Sequence, residues 1–477
     1  MRLRKKKIIL TALLITVLLI TAISSAMAAD HAKYVFMFIG DGMANPQITA
    51  AEAYLSSGGG NFSQQKLSFT GFPGQGMQST YASDRFITGS AASATSMASG
   101  VKTKIGYVGV DSAQNPVKSI SEMAKEAGMK VGIVSSVTID HATPAAYYAH
   151  VNSRGEYYEI GKQLSESGFD YIAGGKPRTY LTPDGEPTIP KLMAEMGWYT
   201  INTDENPEEF MKLKAGSKQI FAYQEGFASG AFEYEIDRRE DELDLAAYTR
   251  KGIEVLDNPN GFFMMVEAGK IDWAGHANDA VTNIYDTIAF DNAIAEAINF
   301  YNQHPDETLI VVTGDHECGG LTLGWAGTGY DTSFDIFAEQ KVSFEWFDHN
   351  VLKPYKENTS ESIAQFSDLE DEIEEYFGLA DWSEREEQLL EEAFARSMMD
   401  EEERPKEEST YLMYGGYEPL TVTLTHILNN RAGLSWASYS HTGVPAPIYA
   451  QGKGHELFNG FYDNINIFDK LVEASNL

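Results

Sequence analysis

Residues 34–43 read Tyr-Val-Phe-Met-Phe-Ile-Gly-Asp-Gly-Met, an apolar run that stops at Gly40 and is followed directly by Asp41. A short continuous apolar run bounded by turn residues is typical of a strand that is buried on both faces, as in parallel sheets. Asp41 lies between two glycines, which permit the close approach of another group. The stretch therefore predicts a buried strand that carries a carboxylate at its carboxyl end.

Three further apolar runs have the same pattern, because polar or acidic residues follow each of them. They are residues 131–134 with Asp140, residues 262–266 with Glu267, and residues 309–312 with Asp315. Amphipathic stretches lie between the runs, at residues 117–127 and 284–300. Strands that alternate with helices predict an α/β fold, a three-layer sandwich in which helices cover a mainly parallel central sheet.

The acidic residues after these four runs predict a common site. In open parallel sheets, ligands bind beyond the carboxyl ends of the strands. The alternative is that acids merely end strands as turn residues, which explains one or two of the clusters. It explains poorly why Asp, Glu, His and Thr recur together at four strand ends.

The first 28 residues resemble an export signal and are excluded from the fold. Basic residues at the start precede a 16-residue apolar run, and the segment ends in Ala26-Met27-Ala28, a cleavage pattern. The run is shorter than the roughly 20 residues that span a bilayer. We therefore expect an exported, periplasmic or secreted protein with no stable membrane anchor after cleavage.

The charge of the chain limits its partners. The formal net charge is −33, which becomes −38 without the five basic residues of the first 28. Such a surface repels nucleic acid, so we expect no nucleic-acid binding. An anionic substrate requires a local concentration of cations. The single cysteine, Cys318, excludes an intrachain disulfide, and we interpret it as a small buried side chain in preference to a metal ligand.

An acidic segment interrupts the pattern of strands. Residues 361–410 contain 19 acidic residues against four basic ones, with apolar residues at helical intervals. We therefore predict a catalytic core of residues 29–340 and 418–477, and an acidic, helix-rich insertion, a cap or crown, of residues 341–417.

Ser90 is a candidate nucleophile. It follows Gly89 at the start of a run of small residues that predicts a closely packed helix, and a helix N-terminus favours phosphate. An ordinary helix cap is the alternative for this serine alone. A metal bound to its oxygen would generate the alkoxide that an isolated serine cannot form near neutral pH.

Candidate metal ligands provide stronger evidence. Asp272 and His276 are four residues apart, on one face of a helical turn, and Asp315 and His316 are adjacent after a strand. Together with Asp41, these oxygen and nitrogen ligands suit zinc or magnesium.

Together, these segments resemble the alkaline phosphatases, in the order of that family's motifs, over residues 35–327 and again over 439–468. The resemblance implies hydrolysis of phosphomonoesters by two Zn2+ ions and one Mg2+ ion through a covalent intermediate on Ser90, with Arg154 gripping two phosphate oxygens. It implies three sets of metal ligands. They are Asp272, His276 and His441 for one zinc, Asp41, Asp315 and His316 for the other, and Asp41, Thr143 and Glu267 for magnesium.

The sequence departs from the family pattern at three positions. Gly89 replaces an Asp that many relatives carry before the nucleophile, which puts the positioning of Arg154 in doubt. His141 and Trp273, which we assign to substrate binding, occupy places that other members fill with Asp and Lys, although some relatives have His and Trp there. Many relatives are homodimers, but the sequence contains no interface signal.

Two other classes of protein stay open. A phosphodiesterase or sulfatase shares the same core, but residues 90–94 lack the proline and arginine of a sulfatase motif, and Arg154 suits the two free oxygens of a monoester. A non-enzymatic phosphate- or metal-binding protein would not need Ser90.

The loss of the lysine at position 273 generates a prediction. We expect Trp273→Lys to bind inorganic phosphate more tightly, because an ammonium group supports water-mediated phosphate contacts. The inhibition constant for phosphate is compared between the two proteins. A variant that binds phosphate no more tightly contradicts the hypothesis that Trp273 eases product release.

Overall fold

The computed structural model describes residues 31–57, 65–216, 218–226, 230–400, 402 and 404–477. The predicted export signal, residues 1–28, lies outside the described residues. Every described helix is too short or too polar to cross a membrane.

Ten strands form one sheet. They are β1 (Tyr34–Gly40), β2 (Gly74–Ser79), β3 (Lys130–Thr138), β4 (Tyr171–Gly175), β5 (Tyr199–Asn202), β6 (Ile220–Gln224), β7 (Phe262–Ala268), β8 (Thr308–Gly314), β13 (Ala446–Gly452) and β14 (Gly460–Asp463). Two antiparallel pairs of short strands lie outside the sheet: β9 (Glu317–Cys318) with β12 (His441–Thr442), and β10 (Thr322–Leu323) with β11 (Leu434–Ser435). The order of the large sheet is β14-β2-β13-β8-β1-β7-β3-β4-β6-β5. Only the pairs that involve β13 are antiparallel, so the predicted mainly parallel sheet is confirmed.

The four apolar runs of the sequence form neighbouring strands, in the order β8-β1-β7-β3. Their register aligns the strand ends, because Gly40 of β1 lies opposite Ala268 of β7 and Gly314 of β8. The predicted convergence of the four carboxyl ends is therefore confirmed.

Alternate side chains of β1 enter two separate apolar cores, as the period of two in a strand requires. Phe36 and Phe38 belong to the core on one face of the sheet, and Val35 and Met37 belong to the core on the other face. All four are fully buried. The predicted three-layer arrangement is confirmed.

Helices cover both faces of the sheet. The longer ones are Asn45–Ser57, Ser90–Ser99, Tyr157–Glu166, Leu245–Leu256, Ala280–Tyr301, Glu384–Met398, Pro419–Ala432 and Ile465–Ser475. The shorter α-helices are Ile120–Glu126, Ala142–Ala145, Ile189–Glu195, Pro207–Met211, Lys270–His276, Phe344–Phe347, Lys353–Asn358, Glu370–Phe377 and Glu408–Tyr414. Both amphipathic stretches of the sequence contain helices, Ile120–Glu126 and Ala280–Tyr301.

The acidic segment contains the helices Glu370–Phe377, Glu384–Met398 and Glu408–Tyr414, and apolar residues of these helices face inward. Ile373, Phe377 and Leu390 are fully buried and belong to the same core as Phe36. The charged residues of these helices lie mostly on the exposed side. The boundaries of the insertion at residues 341 and 417 stay a prediction.

Gly314, at the end of β8, provides a test of this packing. A Cβ atom there would lie 1.8 Å from the carbonyl oxygen of Met43, which cannot move without shifting the loop that carries Asp41. We expect Gly314→Ala to lower the free energy of unfolding by about 1–3 kcal/mol, a typical cost of overpacking. The measurement is denaturant unfolding.

Gly71→Ala is the matched control, because nothing lies within 4 Å of the added atom. If the two substitutions lowered the free energy of unfolding equally, the close packing of Gly314 against the Met43 carbonyl would not explain the effect.

Candidate active site

Three ligand-bearing segments leave the sheet at its carboxyl edge. Asp41 follows β1, Asp315 and His316 follow β8, and the helix Lys270–His276 begins just after β7. The backbone amides of Gly42 and His316 donate to Oδ1 of Asp315, at 3.1 and 2.9 Å. These bonds fix one carboxylate oxygen and leave the other, Oδ2, directed into the site.

His316 lies at the centre of the first cluster and is completely buried. Its Nε2 lies 3.4 Å from Oδ1 of Asp41, 3.2 Å from Oδ2 of Asp315 and 3.4 Å from Oγ of Ser90. The predicted nucleophile therefore shares one small space with three predicted ligands of one zinc.

Ser90 begins the helix Ser90–Ser99, as the sequence predicted. Every residue of this helix is buried, since its small side chains allow close packing. Gly89, in an extended conformation, is the N-cap, so the first amides of the helix point toward the Ser90 end. This orientation suits the binding of an anion at Ser90.

The second cluster contains Asp272, His276 and His441. The two Nε2 atoms of the histidines are 3.1 Å apart, and each lies within 3.4 Å of the Asp272 carboxylate. Nδ1 of His276 faces the carbonyl of Tyr439 at 2.6 Å, and Nδ1 of His441 faces the carbonyl of Thr88 at 3.0 Å.

These carbonyl partners decide the tautomers. A carbonyl only accepts, so each Nδ1 carries the hydrogen and donates it. The Nε2 atoms of neutral His276 and His441 then present lone pairs to each other. A cation bound by both histidines and Asp272 would resolve this contact, and metal-binding histidines usually donate their other ring N–H to a backbone carbonyl or a carboxylate.

The third cluster lies between β1, β3 and β7. Thr143 Oγ1 donates to Oδ2 of Asp41 at 3.2 Å, and Ser135 Oγ donates to Oε2 of Glu267. Asp41, Glu267 and His141 each offer a ligand atom within 4.8 Å of the others. Asp41 therefore borders two clusters, as a bridging ligand must.

Several buried carboxylate oxygens of the site have no hydrogen-bond partner among the described residues. They are Oδ1 of Asp41, Oε1 of Glu267, Oδ1 of Asp272 and Oδ2 of Asp315. Burial raises the pKa of Asp41 to about 6, and burial together with the charge of Asp41 raises the pKa values of Glu267 and Asp315 well above the usual range. Bound cations would offset this cost, so the residues fit divalent metal ions.

The pKa values of His276 and Asp272 shift in the directions that favour the charged forms, unlike those of the three carboxyl groups above. Burial alone would lower the pKa of His276, but the Asp272 carboxylate raises it to about 9. Burial likewise opposes ionisation of Asp272, yet His276 and His441 hold its pKa well below the usual range. In the absence of metal, the Asp272 carboxylate thus favours a proton on His276, whose positive charge would take the place of a cation.

Arg154 contacts the site through His141. Nη2 of Arg154 donates to Nε2 of His141 at 2.8 Å. His141 is buried, and its ring lies edge-on to Trp273 with the ring centroids 5.9 Å apart. His141 therefore restricts the position of the Arg154 guanidinium.

The whole chain is similar to known proteins. The family model "Alkaline phosphatase" matches residues 32–173 and 199–477. The chain belongs to the alkaline phosphatase family. Membership implies a metal-dependent enzyme that hydrolyses phosphomonoesters.

Individual relatives support the assignment. Alkaline phosphatase 4 of Bacillus subtilis is 30% identical over 467 residues, covering 94% of this chain and 91% of that protein. Alkaline phosphatase 3 of the same organism is 29% identical over 460 residues, covering 93% and 89%. The crystal structure of a cold-active alkaline phosphatase from a psychrophilic Shewanella species superposes with a TM-score of 0.76 at 28% identity, covering 92% of this chain and 99% of that chain.

The structure brings all twelve predicted site residues of this alkaline phosphatase into one region. Sequence reasoning missed the carbonyls of Thr88 and Tyr439, because backbone groups leave no signal in a sequence. It also missed Lys270, a buried ammonium 4.8 Å from the Trp273 ring centroid. Cys318 lies beside Asp272, but burial raises the pKa of its thiol well above the usual range, which agrees with the interpretation of a buried side chain.

The raised pKa of His276 predicts how metal binding depends on pH. Its protonated form stabilises the metal-free fold below about pH 6.5, and this contribution is lost as the pH rises through 9. A cation must displace that proton, so we expect zinc affinity to fall by about tenfold per pH unit below pH 9 for each proton displaced. Competition with a chelating indicator at pH 7, 8 and 9 measures it.

The same titration of His276→Ala is the control, and its zinc affinity should be weaker and depend less on pH. An affinity of the unaltered protein that is independent of pH would contradict the raised pKa of His276.

Proposed function

We propose that this alkaline phosphatase transfers the phosphoryl group of a phosphomonoester to Ser90 and then to water, at a site for two zinc ions and one magnesium ion. One observation carries the proposal. The Ser90 hydroxyl lies 3.4 Å from Nε2 of His316, the atom toward which Asp41 and Asp315 also converge.

The ligands divide into the three sets that the family resemblance implies. Asp272, His276 and His441 would hold one zinc, and Asp41, Asp315 and His316 would hold the other. Magnesium would be held by Asp41, Thr143 and Glu267. When bound, these cations would neutralise the carboxylates and polarise the entering and leaving oxygens of an in-line displacement.

Ser90 supplies the nucleophile. A bond forms between its oxygen and phosphorus while the bond from phosphorus to the alcohol oxygen breaks, and the alcohol leaves with a proton. Water then attacks the phosphoserine, the bond to Ser90 breaks, and inorganic phosphate is released. The buried position of Ser90 limits competing reactions with bulk water.

Arg154 orients the phosphoryl group. Its planar guanidinium can donate in parallel to two oxygens, and it lacks an ion-pair partner among the described residues, so its charge is free for the substrate. A monoester presents three non-bridging oxygens that share two negative charges, whereas a diester presents two oxygens that share one charge to the same fork. His141 limits the rotation of Arg154 through the 2.8 Å hydrogen bond.

The remaining proposals rest on the sequence. We propose export to the periplasm or the outside of the cell, from the basic and apolar start and the cleavage pattern at residues 26–28. Residues 341–417 are proposed as an insertion that caps the catalytic core. A homodimer is consistent with the resemblance to dimeric relatives.

The nucleophile is tested with Ser90→Ala. We expect the release of phosphate from an aryl phosphomonoester at alkaline pH to fall at least about a thousandfold, because the covalent route is lost. Binding of inorganic phosphate should persist. Acid-quenched unaltered protein should carry phosphate on Ser90 by mass spectrometry.

Ser99→Ala, a substitution at the other end of the same helix, is the matched control and should retain activity. Chelation should abolish the activity, and zinc with magnesium should restore it. No turnover of a monoester with metal fully loaded would overturn the proposal, and a preference for a diester would favour a phosphodiesterase. Equal behaviour of Ser90→Ala and the unaltered protein would favour a binding protein.

A further inference from the structure

Arg178 is one of three arginines, with Arg154 and Arg385, that form no ion pair with the described residues. Most arginines in the described part of this acidic chain form an ion pair, such as Arg238 with Glu235 or Arg431 with Glu386. Within the described residues, neither Arg154 nor Arg178 has a carboxylate oxygen within the 4.0 Å of an ion pair. In a chain with a net charge of −33, a guanidinium without such a partner is available to an external anion.

The backbone of Arg178 is fixed beside the proposed phosphate site. It follows β4, which ends at Gly175 on the same edge of the sheet as the metal-ligand segments. The amide of Arg178 donates to Oδ2 of Asp140 at 2.9 Å. Asp140 directly precedes His141, which accepts the hydrogen bond from Arg154.

The side chain of Arg178 is held without being neutralised. Its guanidinium carbon lies 4.1 Å from the ring centroid of Tyr157, a residue that begins a helix three positions after Arg154. Its Nε is buried and has no hydrogen-bond partner among the described residues. Stacking on an aromatic face leaves the edge of a guanidinium free to donate to a carboxylate or a phosphoryl group.

Asp140 forms no ion pair with this guanidinium. Its Oδ2 accepts the backbone amide of Arg178, and burial raises the pKa of the Asp140 carboxyl, although that hydrogen bond and the charge of Arg178 act in the opposite direction. The same hydrogen bond holds the backbone of Arg178 against the residue that precedes His141, the hydrogen-bond partner of Arg154.

We propose that Arg178 forms an anion subsite next to the phosphate site of Arg154, and that it binds a second anionic group, a carboxylate or a further phosphoryl group, on the alcohol part of the substrate. The subsite rests on the proposed phosphomonoesterase function and refines it by naming a substrate class. The acidic surface repels substrates with two anionic groups most strongly. The positive charge of Arg178 would therefore favour such substrates over those with a single anionic group.

The experiment compares two phosphomonoesters that differ by one charge. One is a phosphorylated three-carbon hydroxy acid, and the other is the same compound with its carboxyl group converted to the uncharged methyl ester. The value of kcat/KM for each is measured with the metal-loaded full-length protein and with Arg178→Met, which keeps an unbranched side chain of the length of the aliphatic part of arginine and removes its charge. We expect Arg178→Met to lower kcat/KM for the acid about tenfold, the effect of one charge-assisted hydrogen bond. The methyl ester should change less than about twofold by the same reasoning.

Two further variants separate charge from structure. Arg178→Lys restores a positive charge without the fork and should recover part of the preference for the acid. Arg385→Met removes another arginine without an ion pair in the described chain, on the helix Glu384–Met398, and should leave both substrates unchanged. Thermal unfolding midpoints show whether each variant is folded.

Several outcomes would overturn the subsite. An equal loss for acid and ester in Arg178→Met would assign a structural role through Tyr157 and Asp140. An unchanged ratio would show that no second anion binds there. A matching rise in the inhibition constant of inorganic phosphate would place Arg178 on the transferred phosphate itself. If the unaltered protein released phosphate from neither substrate, the proposed function itself would be overturned.

Discussion

The structure depends on one electrostatic constraint at its site. Four buried carboxylate oxygens accept no hydrogen bond from the described residues, and they belong to Asp41, Glu267, Asp272 and Asp315. Buried negative charge without a partner is too costly to persist, so these groups must bind protons or cations. Burial raises the pKa values of Asp41, Glu267 and Asp315, and the Asp272 carboxylate raises those of His276 and His441, so protons are the compensation available without metal. Divalent ions satisfy the same set of atoms at once.

The fold creates this constraint by placing four parallel strand ends side by side. In the order β8-β1-β7-β3, the ligands that follow one strand lie next to those that follow its neighbour. Asp41 follows β1, in the middle of this order, and belongs to two clusters. The helix that carries Ser90 packs against this edge, with a hydrogen bond from Ser93 Oγ to the carbonyl of Asp315 at 2.7 Å. The nucleophile and the ligands are therefore held by one rigid unit.

Charge is distributed so that the acidic chain can still bind an anion. Most of its arginines are neutralised by ion pairs, whereas Arg154 and Arg178 are held by a histidine and an aromatic ring. Neither contact cancels a positive charge. The acceptor that holds Arg154 is thus the imidazole of His141, and the ring of Trp273 packs edge-on against that imidazole. Trp273 and the buried Lys270 complete the side of the site next to that histidine.

The sequence by itself determined the four buried strands, the helix that begins at Ser90 and the pairing of Asp272 with His276, because these depend on residues a few positions apart. It also indicated the shared edge, since parallel strands align their carboxyl ends. Only the tertiary structure decided that β1 lies between β7 and β8, that Thr88 and Tyr439 set the histidine tautomers, and that no carboxylate of the described residues forms an ion pair with Arg178. These features join residues up to several hundred positions apart, such as Thr88 and His441. Packing of the whole chain brings such pairs together, and local sequence patterns carry no information about it.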